Sequence, residues 1–86
     1  MDINQLISIV KKKLSDQIKI EKINIEDKSF LHKNHKNNDE NKFHLKLTLT
    51  SSELSQMSKI ASNRKIYKVL QKELDKYIHS LQILIN

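Results

Sequence analysis

The sequence predicts an α+β domain spanning 1–86, in which three strands form a single sheet covered on one face by helices. Three observations predict it. Apolar residues recur at three- and four-residue spacing near the start of the chain. They alternate with polar residues in its middle, and a second helical stripe gives way to alternation at its end. The expected order is α-β-β-α-α-β.

Asp2 is placed to cap the first helix, and Ile3, Leu6, Ile7, Val10 and Leu14 share one face of it. Lys11, Lys12 and Lys13 are expected in its last turns, where cations complement the helix dipole. From Ile18 the period becomes two through Ile20, Ile23 and Ile25, and β-branched residues dominate, so a strand is expected up to Glu26 and Asp27. Residues 30–42 contain His32, His35, Asn34, Asn37, Asn38 and Asn41 without apolar periodicity, which predicts an exposed loop.

Leu45, Leu47 and Leu49 alternate with Lys46, Thr48 and Thr50, the pattern of a strand with one buried and one wet face that pairs with the first as a hairpin. Ser51 and Ser52 offer a cap to a helix carrying Leu54, Met57, Ile60 and Ala61. Asn63 is expected to cap the next helix, whose stripe runs through Ile66, Tyr67, Val69, Leu70, Leu74, Tyr77 and Ile78. Leu81, Ile83 and Ile85 are expected to form the closing strand. Tyr67 and Tyr77, being on the stripe, are assigned to the core.

At 86 residues there is room for one core, so a site must lie on the surface or in a shallow groove. Cysteine is absent, which excludes disulfides, thiolate nucleophiles and cysteine-only metal sites. No apolar run reaches bilayer length, and Asp2 precedes the first apolar residues, the reverse of a signal peptide; a soluble, cytoplasmic, monomeric chain is expected. The net charge of +6 suits a polyanion, but Arg64 is the only arginine, and a lysine- and asparagine-rich composition is also what an AT-rich genome produces. No phosphate loop, nucleophile elbow or zinc-protease motif is present, and no enzymatic activity is expected.

His79 sits where the last helix gives way to the last strand, a rigid place for a ring whose two nitrogens can serve a metal or a hydrogen bond. Its alternative role is to interact with the final helix carbonyls. His44 is read as a residue at the strand edge that is structural or supports a ligand, rather than as a ligand itself. Arg64 and Lys65 at the start of a helix suit a carboxylate, a partner surface or a phosphate.

Four segments resemble the BolA family in order and spacing: Glu26-Asp27-Lys28-Ser29 followed by His32, then His44-Leu45, then Asn63-Arg64-Lys65-Ile66-Tyr67, and finally Ile78-His79-Ser80-Leu81. The resemblance runs from Ile23 to Ile83. Ser62 and Asn63 stand where the family usually has an arginine and a histidine, and Leu54 and Gln56 where it tends to have phenylalanine and glycine. It implies a fold like a type II KH domain and pairing with a monothiol glutaredoxin, the heterodimer holding a bridging 2Fe-2S cluster with glutathione for iron-sulfur trafficking or iron regulation. By the same resemblance His79 is the framework ligand and His32 the loop ligand, with His35 as its substitute, and the isolated chain carries no cofactor. Histidine is a recognised replacement for thiolate on one iron of such a cluster. The resemblance also leaves a second role, a KH-like nucleic-acid-binding transcription regulator with weak DNA contact. A chain without glycine cannot form the Gly-x-x-Gly clamp of a KH domain.

Overall fold

A computed structural model describes residues 1–29 and 42–86, which contain helix α1 (Ile3–Gln17), strands β1 (Lys22–Asp27) and β2 (Phe43–Thr50), helices α2 (Ser52–Ser55), α3 (Lys59–Val69) and α4 (Gln71–Lys76), and strand β3 (Ile78–Ile85). The sheet order is β1-β2-β3, with β1 antiparallel and β3 parallel to the central β2. Among the described residues this is the α+β fold that the hydrophobic periodicities predict.

Helix α1 starts where expected. Asp2 Oδ1 accepts from the Gln5 N–H at 2.8 Å and the Gln5 side chain accepts from the Asp2 N–H at 3.1 Å, a reciprocal capping box. Leu6, Val10 and Leu14 are fully buried and face the sheet. The helix continues to Gln17, so Lys11, Lys12 and Lys13 lie in its second half, and none of them is in its very last turn. Two of them are in ion pairs: Lys12 with Asp16 at 3.5 Å and Lys13 with Glu73 at 2.6 Å. Ile18 is the buried C-cap of α1, not a strand residue, and β1 begins only at Lys22. The extended backbone at Ile18, φ −135 and ψ 138, resembles a strand locally but has no strand beside it.

The two faces of the sheet follow the alternation. Ile23 pairs with Leu49, Ile25 with Leu47 and Asp27 with Leu45; Leu45, Leu47 and Leu49 in turn pair with Leu81, Ile83 and Ile85. Most of these side chains enter the core, where they meet Leu6, Val10, Leu14, Leu54, Ile66, Leu70 and Ile78. Each leucine buried completely contributes about 2 kcal/mol by its removal from water. The other face carries Asn24 opposite Thr48, Glu26 opposite Lys46 and Lys46 opposite Gln82.

Helix capping departs from expectation in two places. Ser51 caps α2, accepting from the Leu54 N–H at 3.1 Å, but the helix stops at Ser55 and does not reach Ile60. Ser58, not Asn63, then caps α3, accepting from the Ala61 N–H at 3.1 Å, so Ile60 and Ala61 belong to α3 and Ile60 is 67% exposed. A hydroxyl that bonds the backbone ahead of it ends one helical segment and begins the next. The long stripe is also divided: Leu70, at φ −99 and ψ 14, separates α3 from α4, and Ile78 belongs to β3. No described residue has a positive φ.

Candidate functional site

The site is built on an irregularity of the sheet. Phe43 pairs with Ile78 but the next residue of β2, His44, pairs with Ser80, so His79 is the extra residue of a β-bulge. A bulge redirects side chains that strict alternation would place differently. Here Ile78 and Leu81 both enter the core, while His79 and Ser80, consecutive residues, both stay exposed. The chain reaches this point through Tyr77, whose N–H donates to Glu73 O at 2.8 Å as α4 ends and whose carbonyl accepts from Phe43 N–H at 2.8 Å as the sheet begins.

His44 lies at the start of the central strand and is only 4% exposed, which corrects its placement at a strand edge while confirming it as part of the framework. Its Nδ1 and Ser80 Oγ hydrogen-bond at 2.7 Å, and its ring centroid is 4.8 Å from that of His79, with the planes tilted by 47°. Its backbone N–H donates to Ser29 Oγ at 3.1 Å and its carbonyl accepts from Lys28 N–H at 2.7 Å. Ser29 N–H in turn donates to Asp27 Oδ1 at 2.9 Å. These bonds tie the start of the β1–β2 connection to the histidine pair.

Close by, Lys28 pairs with Glu26 at 2.8 Å. The hydrogen bond from Lys28, with the charges of Lys28 and Lys46, holds the Glu26 carboxyl below the usual glutamate range, so a carboxylate stays ionised next to the histidines' strand.

His32 and His35, the expected loop ligands, lie outside the described residues. Among the described residues no group of three or more histidine, cysteine, aspartate or glutamate side chains is arranged to hold a metal ion. His79 fits the role of a single imidazole donor: it is exposed, and a neighbouring ring, itself oriented by Ser80, stands beside it. The sequence places His44 as a structural or ligand-supporting residue, but not its contacts with Ser80 and His79, which the bulge brings to it. The bulge did leave a trace, because Ile78 and Leu81 are apolar residues three apart inside an otherwise alternating strand.

The basic pair on α3 is split in use. Arg64 is exposed, whereas Lys65 is ion-paired with Glu53, whose carboxyl is lowered first by the hydrogen bond from Lys65 and then by that from Lys19 N–H. Tyr67 is not a core residue: α3 buries Ser62 and Ile66, so Tyr67 lies beside the buried face, is 43% exposed and donates its hydroxyl to Leu81 O at 3.2 Å. Tyr77 is half-buried against the core as expected.

An α+β domain with an exposed histidine on a bulged outer strand and a second, buried histidine beside it is the class defined so far. The chain belongs to the BolA-like family, whose model matches residues 14–86. It is 37% identical over 76 residues to the UV-induced protein uvi31 of Schizosaccharomyces pombe, an alignment covering 84% of this chain and 74% of that protein. Among solved structures it is similar to the BolA domain of SufE1 from Arabidopsis thaliana, with a TM-score of 0.79 and 26% identity over 100% of this chain and 93% of that one. It is also similar to BolA1 from Arabidopsis thaliana, with a TM-score of 0.75 and 28% identity over 91% and 86% of the two chains. Among the described residues no helix is long and apolar enough to cross a membrane.

Proposed function

We propose that this chain donates histidine to a 2Fe-2S cluster bridged with a monothiol glutaredoxin, as a non-enzymatic partner in iron-sulfur trafficking or iron regulation. The observation that carries the reading is the bulge that presents His79 at the surface of β3 next to the His44 ring. Membership in the BolA-like family supports it.

In this reading His79 is the ligand from the framework, and His32, or His35 in its place, is the ligand from the segment between β1 and β2. The glutaredoxin and glutathione provide the sulfur that a chain without cysteine lacks. Histidine ligation gives such a cluster a higher reduction potential than cysteine alone. The residues of this chain then have separate duties: His79 offers a nitrogen outward, His44 and Ser80 hold the neighbourhood of that ring, and Ser29 anchors the chain that leads to His32. Arg64 is free to meet a partner carboxylate, while Lys65 is already engaged by Glu53.

The test is anaerobic reconstitution with a monothiol glutaredoxin, glutathione, iron and sulfide, followed by visible absorption and circular dichroism. The expected result is a spectrum distinct from that of the glutaredoxin homodimer, lost in His79→Ala and altered in His32→Ala. A spectrum identical to that of the glutaredoxin alone overturns shared ligation.

A further inference from the structure

The net charge of +6 is not spread over the molecule. Helices α1 and α3 carry seven of the 16 cations and only one of the 10 carboxylates, Asp16, which leaves nine of each for the remainder of the chain. The whole excess therefore lies on two helices. Codon usage in an AT-rich genome sets how many lysines a chain contains, but not where they fall in its fold. Charge of one sign along a cleft focuses the field there and raises the local concentration of ions of the other sign.

These two helices wall a groove of about 580 Å³, lined by Lys13, Asp16 and Gln17 of α1 and by Lys65, Lys68 and Val69 of α3. Sites for small molecules commonly measure about 300–1,000 Å³. No histidine lines the groove, and none of its residues belongs to β3, where His79 and Ser80 stand. It is a second concave place on the molecule, with lysines on both walls.

Two of the three lysines are held from outside the groove. Lys13 is paired with Glu73 of α4 at 2.6 Å and Lys65 with Glu53 of α2, and neither glutamate lines the groove. An ammonium has three N–H donors, so each of these lysines keeps two after its carboxylate has taken one. The pairs weaken the field of both lysines but fix their side chains, which lowers the entropy cost of ordering them around a ligand. Lys68 has no ion pair among the described residues and adds an uncompensated charge. Asp16, the one carboxylate of the lining, is itself 3.5 Å from Lys12.

We propose that the groove between α1 and α3 binds a free di- or triphosphate, whose oxygens accept from Lys13 on one wall and from Lys65 and Lys68 on the other. Lysine meets phosphate as a point charge, and the groove contains no arginine fork of the kind that matches a carboxylate. Cations on two walls call for negative charge spread over more than one centre, which a linked phosphate supplies and a single orthophosphate does not. Gln17 adds a neutral amide donor, and Asp16 opposes the ligand. The site uses none of the histidines and holds whether or not they bind a cluster.

The test is titration of the unmodified chain with inorganic tripolyphosphate at low ionic strength, read by two-dimensional NMR of the backbone amides and lysine ammonium groups. Saturable shifts centred on the groove residues are expected, with affinity falling as salt is raised. Orthophosphate is expected to bind about tenfold more weakly. Lys68→Gln should raise the Kd about three- to fivefold, and Asp16→Asn should lower it by a similar factor. Lys46→Gln, which removes the same charge from the open face of the sheet, and His79→Ala should each change it by less than about twofold. Equal weakening by Lys68→Gln and Lys46→Gln reduces the effect to net charge and overturns the groove, and equal affinity for orthophosphate overturns a linked phosphate as its ligand. Absence of saturable shifts overturns the site. Binding to phosphoinositide vesicles or single-stranded DNA without binding to tripolyphosphate also overturns it and leaves the basic helices to a membrane or a nucleic acid.

Discussion

Lys13 Nζ lies 2.6 Å from Glu73 Oε2 and joins the middle of α1 to the end of the helical layer in α4. The Glu73 side chain is only 5% exposed and that of Lys13 is 38% exposed, while Glu73 Oε1 has no hydrogen-bond partner among the described residues. The lysine is what makes a buried carboxylate tolerable. Removing one partner leaves an uncompensated charge, whereas replacing both with apolar groups is often neutral. Lys13→Met is expected to lower stability by about 2 kcal/mol, and the double variant with Glu73→Leu to recover most of it, as read by urea denaturation of the two single variants and the pair.

Ser51 serves two bonds at once. Its Oγ accepts from Leu54 N–H at 3.1 Å and donates to Lys19 O at 2.6 Å, joining the α2 cap to the chain that leaves α1. Ser51→Ala removes the cap and leaves that carbonyl without its donor. A loss of about 2 kcal/mol is expected, measured by thermal or urea unfolding, while Ser52→Ala on the exposed neighbour, whose hydroxyl donates to Glu21, should cost less.

The acid limb of stability has identifiable carriers. The carboxyls of Glu21, Glu26 and Glu53 are held below the usual glutamate range, chiefly by hydrogen bonds from Ser52, Lys28 and Lys65 respectively. A lowered folded value means that the contribution is complete above the unfolded value of about 4.3 and is lost as pH falls through the folded values. Melting temperature should therefore decline below that value. Glu53→Gln should flatten the decline, and added salt should weaken the effect because all three groups are at the surface.

The histidine pair gives a spectroscopic prediction. Ser80→Ala removes the bond to His44 Nδ1, so the His44 tautomer should change and the His79 ring signals, 4.8 Å away, should move with it. Two-dimensional NMR of the imidazole nitrogens reads both. The cost in stability should stay near 1 kcal/mol, which separates an effect on ring orientation from unfolding.

Strongly periodic segments were legible: the α1 stripe with its Asp2 cap, and the Leu45, Leu47 and Leu49 alternation, appear as read. Helix interruptions were not. Leu70 and Gln71 are good helix formers, and the division between α3 and α4 is visible only in the Leu70 backbone, so periodicity alone extended the helix to Ile78. Serine is a common surface residue, which hid Ser58 behind Asn63 as the cap of α3. His79 was legible as a junction residue. Its partnership with His44 was not, because the parallel pairing that brings residues 44 and 80 together spans most of the domain's helices and leaves no local signal.

The chain has neither glycine nor proline, and no described residue requires a left-handed backbone. Turns that other proteins secure with backbone freedom are secured here by side-chain oxygens at Asp2, Ser51 and Ser58. Mutational sensitivity at the chain's corners should accordingly follow hydroxyl and carboxylate chemistry instead of side-chain size. Exchanges among serine, threonine, aspartate and asparagine would pass at Asp2 and Ser58 where alanine would not, whereas buried Ser51, which also donates to Lys19 O, calls for a hydroxyl, so the sequence can drift in composition while its corners keep their geometry.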